Sequence, residues 1–229
     1  MPDLRNASFT PTSTWYKDAD TYWRSVSSSV GGMLGGLDHV HTPDIRDSHA
    51  FLAKLKADPS LAISATYACD CGAGIGRITK NLLLPLFDRV DLVEQNPDFL
   101  HEARTNYLKA EEARVPDMFA TGLQLFTPPE GRYDVIWCQW VLSHLTDDDL
   151  AAFLKRCRQG LTSKGVLCVK ENVASNGYII DSEDSSVTRS ALIFDRIFAA
   201  AGFKVVAKQS QTDFPRGLFE VCMWAIIPI

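Results

Sequence analysis

The most constraining feature of the chain is the run Asp70-Cys71-Gly72-Ala73-Gly74-Ile75-Gly76. It lies between an apolar stretch, Thr66 to Cys71, that reads as a strand and a stretch from Gly76 to Leu84 that reads as a helix. Glycines at alternate positions let the backbone turn sharply and approach a ligand closely, and the helix that follows aims its free N–H groups at the turn. The same texture continues downstream. Val90 to Glu94, Asp117 to Thr121, Tyr133 to Cys138, Gly165 to Lys170, Val205 to Lys208 and Phe219 to Ile226 read as strands, with helices expected over Pro97 to Leu108, Thr146 to Leu161 and Val187 to Ala201. Repeated strand–helix units predict an α/β domain built on a parallel, doubly wound sheet.

Upstream, Trp15, Tyr16, Ala19, Tyr22, Trp23 and Val26 recur at helical spacing. The pliable segment Gly31-Gly32-Met33-Leu34-Gly35-Gly36 follows, and Thr42-Pro43-Asp44 reads as a cap, a first-position proline and a first-turn acid opening a helix to about Leu55. The expected organisation is a helical cover over residues 1–60 and a single domain over 61–229.

Composition narrows the function classes. A chain of 229 residues buries roughly 70% of its unfolded surface, and 46% hydrophobic with 22% charged residues excludes disorder and fibre. With 23 Lys+Arg against 28 Asp+Glu, the net charge of −5 argues against a nucleic-acid binder held by phosphate contacts. No run reaches the roughly 20 apolar residues of a membrane span. The amino terminus lacks the apolar core of a secretory signal, so the Asn6-Ala7-Ser8 sequon is discounted. Six cysteines without a CxxC pair read as reduced core thiols, which points to the cytoplasm or nucleus and to no metal site. Asp147-Asp148-Asp149 after Thr146 is a helix start rather than a cation site.

The glycine run is GxGxG, because Arg77 stands where a dinucleotide fingerprint continues. Glu94 closes the second strand 22 residues after Gly72, where a carboxylate can accept both hydroxyls of a ribose. Turn, flanking elements and acid together signal S-adenosylmethionine, which carries no phosphate and needs a ribose clamp and a partner for its carboxylate. Arg77 can be that partner; the competing reading is a solvated first-turn arginine, which the helix dipole disfavours. Gly122-Leu123-Gln124 and Gln139-Trp140 follow the third and fourth strands and fall at the same carboxyl-terminal edge.

The same edge gathers Trp140, His144, Asn172 and the cluster Asp181-Ser182-Glu183-Asp184. Each has a bland alternative: Trp140 in the core, His144 as a structural hydrogen-bonder, Asp184 as a helix cap in a solvated loop. Together, acids, an amide, a histidine and tryptophans under a glycine-hinged cover suit a cationic amine, held by carboxylates and aromatic faces.

Specific segments then align with a known pattern. Tyr22-Trp23, Gly32-Met33-Leu34-Gly35-Gly36, Asp70 to Lys80, Leu82-Leu83-Leu84-Pro85-Leu86-Phe87, Asp134 to Trp137, Gln139-Trp140-Val141 and Asp184-Ser185-Ser186-Val187 resemble the protein α-N-terminal methyltransferase family from about Trp15 to Ala225. The resemblance implies a class I S-adenosylmethionine-dependent methyltransferase, a Rossmann-like seven-stranded fold with an N-terminal helical cover. It also implies substrates that are protein N-termini beginning X-Pro-Lys or X-Pro-Arg. Carried over by position, it assigns Gly72, Gly74, Arg77, Glu94, Gln95, Asn96, Leu123, Gln124 and Gln139 to the cofactor. It assigns Trp23, Leu34, Val40, Trp140, Asn172, Asp181, Asp184, Ser186 and Phe219 to the peptide channel, with Asp184 and His144 serving the amine. Three positions depart from the family: Glu94 and Glu171 where aspartates are familiar, and Phe219 where a tyrosine contacts the peptide. The rival readings are a small-molecule amine methyltransferase and a catalytically silent cofactor-binding subunit; GxGxG disfavours a nicotinamide dehydrogenase.

Overall fold

The computed structural model describes residues 9–229, so the sequon at Asn6 lies outside the described residues. The described residues include helix α1 (Trp15–Ser25), a single turn α2 (Val30–Met33) in which Ser29 Oγ accepts from Gly32 N, and helix α3 (His41–Ala57). Strands β1 (Tyr67–Cys71), β2 (Arg89–Glu94), β3 (Met118–Ala120), β4 (Tyr133–Gln139), β5 (Leu161–Val173), β8 (Phe203–Ser210) and β9 (Glu220–Pro228) form a seven-stranded sheet in the order β3-β2-β1-β4-β5-β9-β8. A two-stranded antiparallel sheet, β6 (Tyr178–Asp181) with β7 (Ser186–Arg189), stands apart from it. Helices α4 (Pro97–Glu102), α5 (Asp147–Gly160) and α6 (Ala191–Ala200) complete the fold.

Every residue of β4 is buried, as expected for a central strand covered on both faces. One core cluster joins the sheet to α5 and α6 through Leu150, Phe153, Leu154, Phe194 and Phe198. The other joins it to Phe51, Leu52 and Leu55 of α3 and to Leu82 and Leu83. Helix α3 is therefore part of the core, while α1 and α2 lie over the carboxyl-terminal edge.

Several sequence expectations are corrected. The sheet is mixed rather than parallel: β9 runs antiparallel to both β5 and β8. The link from Ser210 to Glu220 carries no crossover helix, and a short connection can return a strand only in the antiparallel sense. The last helix begins at Ala191, not Val187, because Val187 and Thr188 pair with Ile180 and Ile179 in the small hairpin. Asp184 consequently lies in a hairpin turn and caps no helix. Helix α3 begins at His41 after Val40, so Thr42 caps nothing and Asp44 is turned inward, fully buried. The helix after the glycine run widens into a π-helical segment, Thr79–Leu83. There Asp70 accepts from both the backbone N and the Oγ1 of Thr79, at 2.9 and 2.6 Å. Burial pushes the Asp70 carboxyl up to about 6, against the bonds from Thr79. The expected helix to Leu108 likewise passes from α4 into a π segment, Ala103–Tyr107.

Among the described residues no helix is long and apolar enough to cross a membrane, and no group of His, Cys, Asp and Glu side chains is arranged to hold a metal. All six cysteines are unpaired and buried.

Candidate active site

Strand β1 has β2 and then β3 on one side and β4 on the other, so the chain reverses direction of winding at β1. Ligands of open α/β sheets lie beyond the carboxyl ends of strands at such a point. A cleft of about 930 Å³ occupies it.

The glycine turn forms its floor. Gly72 has φ of +72°, and a Cβ there would stand 2.5 Å from the Cβ of Val141; at Gly74, with φ of +55°, it would stand 2.2 Å from the sulfur of Met33. The α2 residue Met33 thus closes directly over the turn. Glu94 reaches back so that Oε2 accepts from Gly74 N at 3.0 Å and Oε1 from Asn96 N at 2.8 Å. Each oxygen keeps further lone-pair capacity towards the cleft that Glu94 lines. Burial raises the Glu94 pKa, while bonds from Asn96 and Gly74 favour the ionised form.

Arg77 also lines this cleft, and its surroundings were hidden in the sequence. Its Nη1 is 2.7 Å from Asp44 Oδ2, and Asp44 Oδ1 is 2.5 Å from Lys170 Nζ, with all three side chains buried. Gln139 Nε2 donates to the same Asp44 Oδ1 at 2.7 Å. Arg77 and Lys170 thus share the single carboxylate of Asp44. Gln95, Leu123 and Gln124 line the far wall with Phe99 and Val93. Asn96 lies behind the lining: its side chain caps α4 by accepting from Asp98 N at 3.0 Å.

These residues fit S-adenosylmethionine. The turn is a cradle that a Cβ would fill, the Glu94 carboxylate can take a ribose diol, and the guanidinium can take a carboxylate. Leu123, Val93 and Phe99 offer an apolar slot for a flat ring.

A second cleft of about 960 Å³ adjoins the first, and Trp23, Met33, Trp140 and His144 line both. Of the proposed peptide contacts, Trp23, Leu34, Val40, Trp140, Asn172, Asp184, Ser186 and Phe219 line it. Asp181 does not. It sits exposed at the end of β6, where Oδ1 accepts from Glu183 N at 2.9 Å.

Trp140 has φ of +51°, a conformation that a bulky residue adopts only when its surroundings impose it. They do so here. Its N–H donates to Lys170 O at 3.0 Å, and the next two N–H groups, of Val141 and Leu142, donate to Glu171 Oε1 at 2.8 and 2.7 Å. Among the described residues, two buried polar atoms of this cleft's lining have no partner, Trp140 Nε1 and Asp184 Oδ1. An unpaired buried carboxylate oxygen costs free energy until a donor arrives. His144 stands beside it, with Nε2 3.0 Å from Trp23 Nε1 and Nδ1 3.2 Å from Ser185 O.

Sequence reading did not place Tyr16, Met33, Phe99, Glu171 or Phe214 in the lining, nor Asp44 and Lys170 behind it. Met33 sits inside the Gly-Met-Leu-Gly-Gly segment and could have been found there. Asp44 and Lys170 carry no local signal, since they meet only in the folded chain.

Comparison with known proteins bears on the family, the fold and the cofactor. Residues 11–227 match the sequence model of a family described as AdoMet-dependent proline di-methyltransferase. The chain is 46% identical over 212 residues to N-terminal Xaa-Pro-Lys N-methyltransferase 1 of Bos taurus, covering 93% of this chain and 95% of that protein. It is 48% identical to the Danio rerio protein of the same name over 208 residues, covering 91% and 93%. Among solved structures, a SAM-dependent methyltransferase of Leishmania major superposes with a TM-score of 0.85 at 41% identity, covering 93% of this chain and 82% of that one. The 1,6-didemethyltoxoflavin-N1-methyltransferase of Burkholderia thailandensis shares the fold, with a TM-score of 0.74 at 18% identity and coverage of 98% and 93%.

Proposed function

The chain belongs to the AdoMet-dependent proline di-methyltransferase family, and on that premise we propose that it methylates the free α-amine of protein N-termini beginning X-Pro-Lys or X-Pro-Arg. The observation that carries the reading is the unpartnered Asp184 Oδ1 in a cleft that shares Trp23, Met33, Trp140 and His144 with the cofactor cleft. An ammonium is the ligand that satisfies a buried carboxylate between aromatic walls.

The bound cofactor supplies a methyl group made electrophilic by its sulfonium. Arg77 and Glu94 are proposed to hold its carboxylate and ribose, with Gly72, Gly74, Gln95, Leu123, Gln124 and Gln139 shaping the slot and Asn96 bracing it. Asp184 holds the amine at the junction of the clefts, so that nitrogen, methyl carbon and sulfur can align. An α-amine has a reference pKa of about 7.7–8.0, so most of it is protonated at pH 7 and a proton must leave before attack. His144, whose Nε2 is held by Trp23, fixes the Asp184–Ser185 turn and passes a proton only when the indole bond opens. Leu34, Val40, Asn172, Ser186 and Phe219 line the path of the following residues, with the acids of the β6–β7 turn, Asp181 included, nearest a cation in the third position.

Six reduced thiols suit a reducing compartment, and we place the reaction in the cytoplasm or nucleus. Mass spectrometry of X-Pro-Lys peptides incubated with enzyme and S-adenosylmethionine tests the reading. The expected product carries added methyl groups on the α-amine, and methylation of the lysine side chain instead would overturn it.

A further inference from the structure

Arg189 is fully buried at the foot of the β6–β7 hairpin, opposite Tyr178 in the strand register. Its guanidinium reaches three acceptors on one short stretch of chain. Nη1 donates to Leu142 O at 3.0 Å, Nη2 to Leu145 O at 2.6 Å and Nε to Asp147 Oδ1 at 2.7 Å. Tyr178 Oη donates to the other oxygen of the same carboxylate, Asp147 Oδ2, at 2.6 Å. The two facing residues of the hairpin foot thus grip the first residue of α5 and, through Arg189, the turn that carries His144.

Resting on the N-terminal methylation reading, we propose that Arg189 is the positioning residue that fixes His144 and Asp184 relative to each other. It lines neither cleft. The turn from Val141 to Leu145 is held on its donor side by Glu171, whose Oε1 accepts from Val141 N and Leu142 N. Arg189 holds its acceptor side, and the two carbonyls it binds, of Leu142 and Leu145, bracket His144. The same side chain anchors the hairpin whose turn bears Asp184. Four residue pairs, from Tyr178–Arg189 to Asp181–Ser186, join its strands, which form a sheet separate from the main one. A two-stranded hairpin is marginal by itself in water and has to be fixed to its surroundings. His144 Nδ1 reaches Ser185 O at 3.2 Å, which closes a ring of contacts from Arg189 through the turn and back along the hairpin.

The task suits arginine and not lysine. A guanidinium presents donors in several fixed directions at once, whereas an ammonium is a compact charge on a flexible stem. Here the fork spans two carbonyls and a carboxylate, so the buried charge is paired with Asp147 and both carbonyls keep a donor away from water. The guanidinium carbon lies 5.9 Å from the centroid of the Phe194 ring, which backs the fork from the side of α6. Geometry at the junction of the clefts bears directly on rate, because a misplacement of about 1 Å can cost about 100-fold.

The test compares Arg189→Lys and Tyr178→Phe with wild type on an X-Pro-Lys peptide, well below each thermal midpoint. Lysine keeps the charge and loses the fork. Its kcat is expected to fall about 100-fold, with calorimetric cofactor affinity unchanged. Phenylalanine at 178 removes only the bond to Asp147 Oδ2 and should lower kcat by about threefold. Nitrogen-15 spectra of the histidine rings in the free protein give an arm independent of substrate. Wild type should show His144 as one tautomer, with hydrogen on Nδ1 and Nε2 accepting from Trp23. Arg189→Lys should move both ring resonances toward the averaged values of a ring exchanging between tautomers, which a loss of stability alone would not do. A folded Arg189→Lys with wild-type kcat, with weakened cofactor binding or with unchanged His144 resonances overturns the proposal. Should Arg189→Lys fail to fold, Tyr178→Phe decides: a change in kcat or in the resonances supports the positioning role, and a change in neither overturns it. A wild type that leaves the peptide unmethylated, while the resonances shift as expected, would sink the substrate reading and leave the positioning of His144 standing.

Discussion

The indole N–H of Trp23 donates to Nε2 of His144 across 3.0 Å, tying helix α1 to the turn Leu142–His144. An indole nitrogen only donates, so Nε2 must be the acceptor and the ring is the neutral tautomer with hydrogen on Nδ1. That hydrogen goes to Ser185 O at 3.2 Å, and the histidine's own carbonyl accepts from Trp15 Nε1 at 2.7 Å. Two tryptophans of one helix thereby latch the cover onto the residue next to Asp184.

The latch is expected to weaken in acid. Burial lowers the His144 pKa below its ordinary 6.5, opposed by Asp184 and the Ser185 carbonyl. A group depressed in the folded state contributes stability above its unfolded value and loses it as pH falls through the folded one. Protonated His144 would also set an N–H against the Trp23 N–H. Hydrogen exchange of α1 amides, corrected for intrinsic rates, should accelerate between about pH 7 and about pH 5, on either side of the ordinary histidine value. Trp23→Phe should abolish that dependence. Protection that stays level over the range contradicts the latch.

Asp184→Asn separates activity from stability. An unpaired buried carboxylate oxygen is a liability to the free protein, so the thermal midpoint should hold or rise. Peptide kcat/KM should drop by about 2–5 kcal/mol, at least roughly thirtyfold, through loss of one partner of a desolvated charge pair. Calorimetric cofactor affinity should be unchanged. Unaltered turnover would leave the residue as a turn former.

At the glycine turn, Gly72→Val should abolish cofactor binding, since even its Cβ would stand 2.5 Å from Val141 Cβ at a positive φ. Gly131→Ala is the control. Its φ is +59°, but nothing lies within 4 Å of an added Cβ. It should cost only about 1–2 kcal/mol of left-handed strain and leave cofactor affinity intact by isothermal titration.

Asp44→Asn should destabilise by about 3–5 kcal/mol, because it leaves Arg77 and Lys170 buried together without their shared carboxylate. Urea unfolding gives the stability directly. Saturating S-adenosylmethionine, whose carboxylate can take up the surplus charge, should recover part of the loss. A midpoint unaffected by the substitution would show that Gln139 and the backbone suffice to hold the network.

Peptides whose third residue is Lys, Gln or Glu should react in that order, with well over tenfold between Lys and Gln if the pair is largely desolvated. Asp181→Asn should cost at most about 1 kcal/mol and lose its effect at high salt, because Asp181 is exposed on the hairpin. Glu183→Gln, also on the exposed tip, should do little. Equal rates for the three peptides would remove the acids of this turn from substrate recognition.

How much of this was legible in the chain follows from the range of each interaction. The glycine turn, the acid at Glu94 and the alternation of strands and helices are local patterns, so sequence alone placed the fold class and the cofactor edge. The family segments likewise brought Trp23, Leu34, Trp140 and Asp184 to one channel. Strand direction was not local. The reversal of β9 and the replacement of a helix start by β7 depend on partners, Glu171 to Val173 for one and Ile179 to Ile180 for the other, that lie far along the chain or compete with helix propensity. The charge chemistry was the least legible. Asp44 looks like a first-turn acid and becomes the shared counter-ion of Arg77 and Lys170, residues 33 and 126 positions away. Glu171 looks like one more strand carboxylate until burial raises its pKa and the N–H groups of Val141 and Leu142 fix its Oε1. Desolvation and long-range pairing set the acidity of such groups, and both exist only once the chain has closed around them.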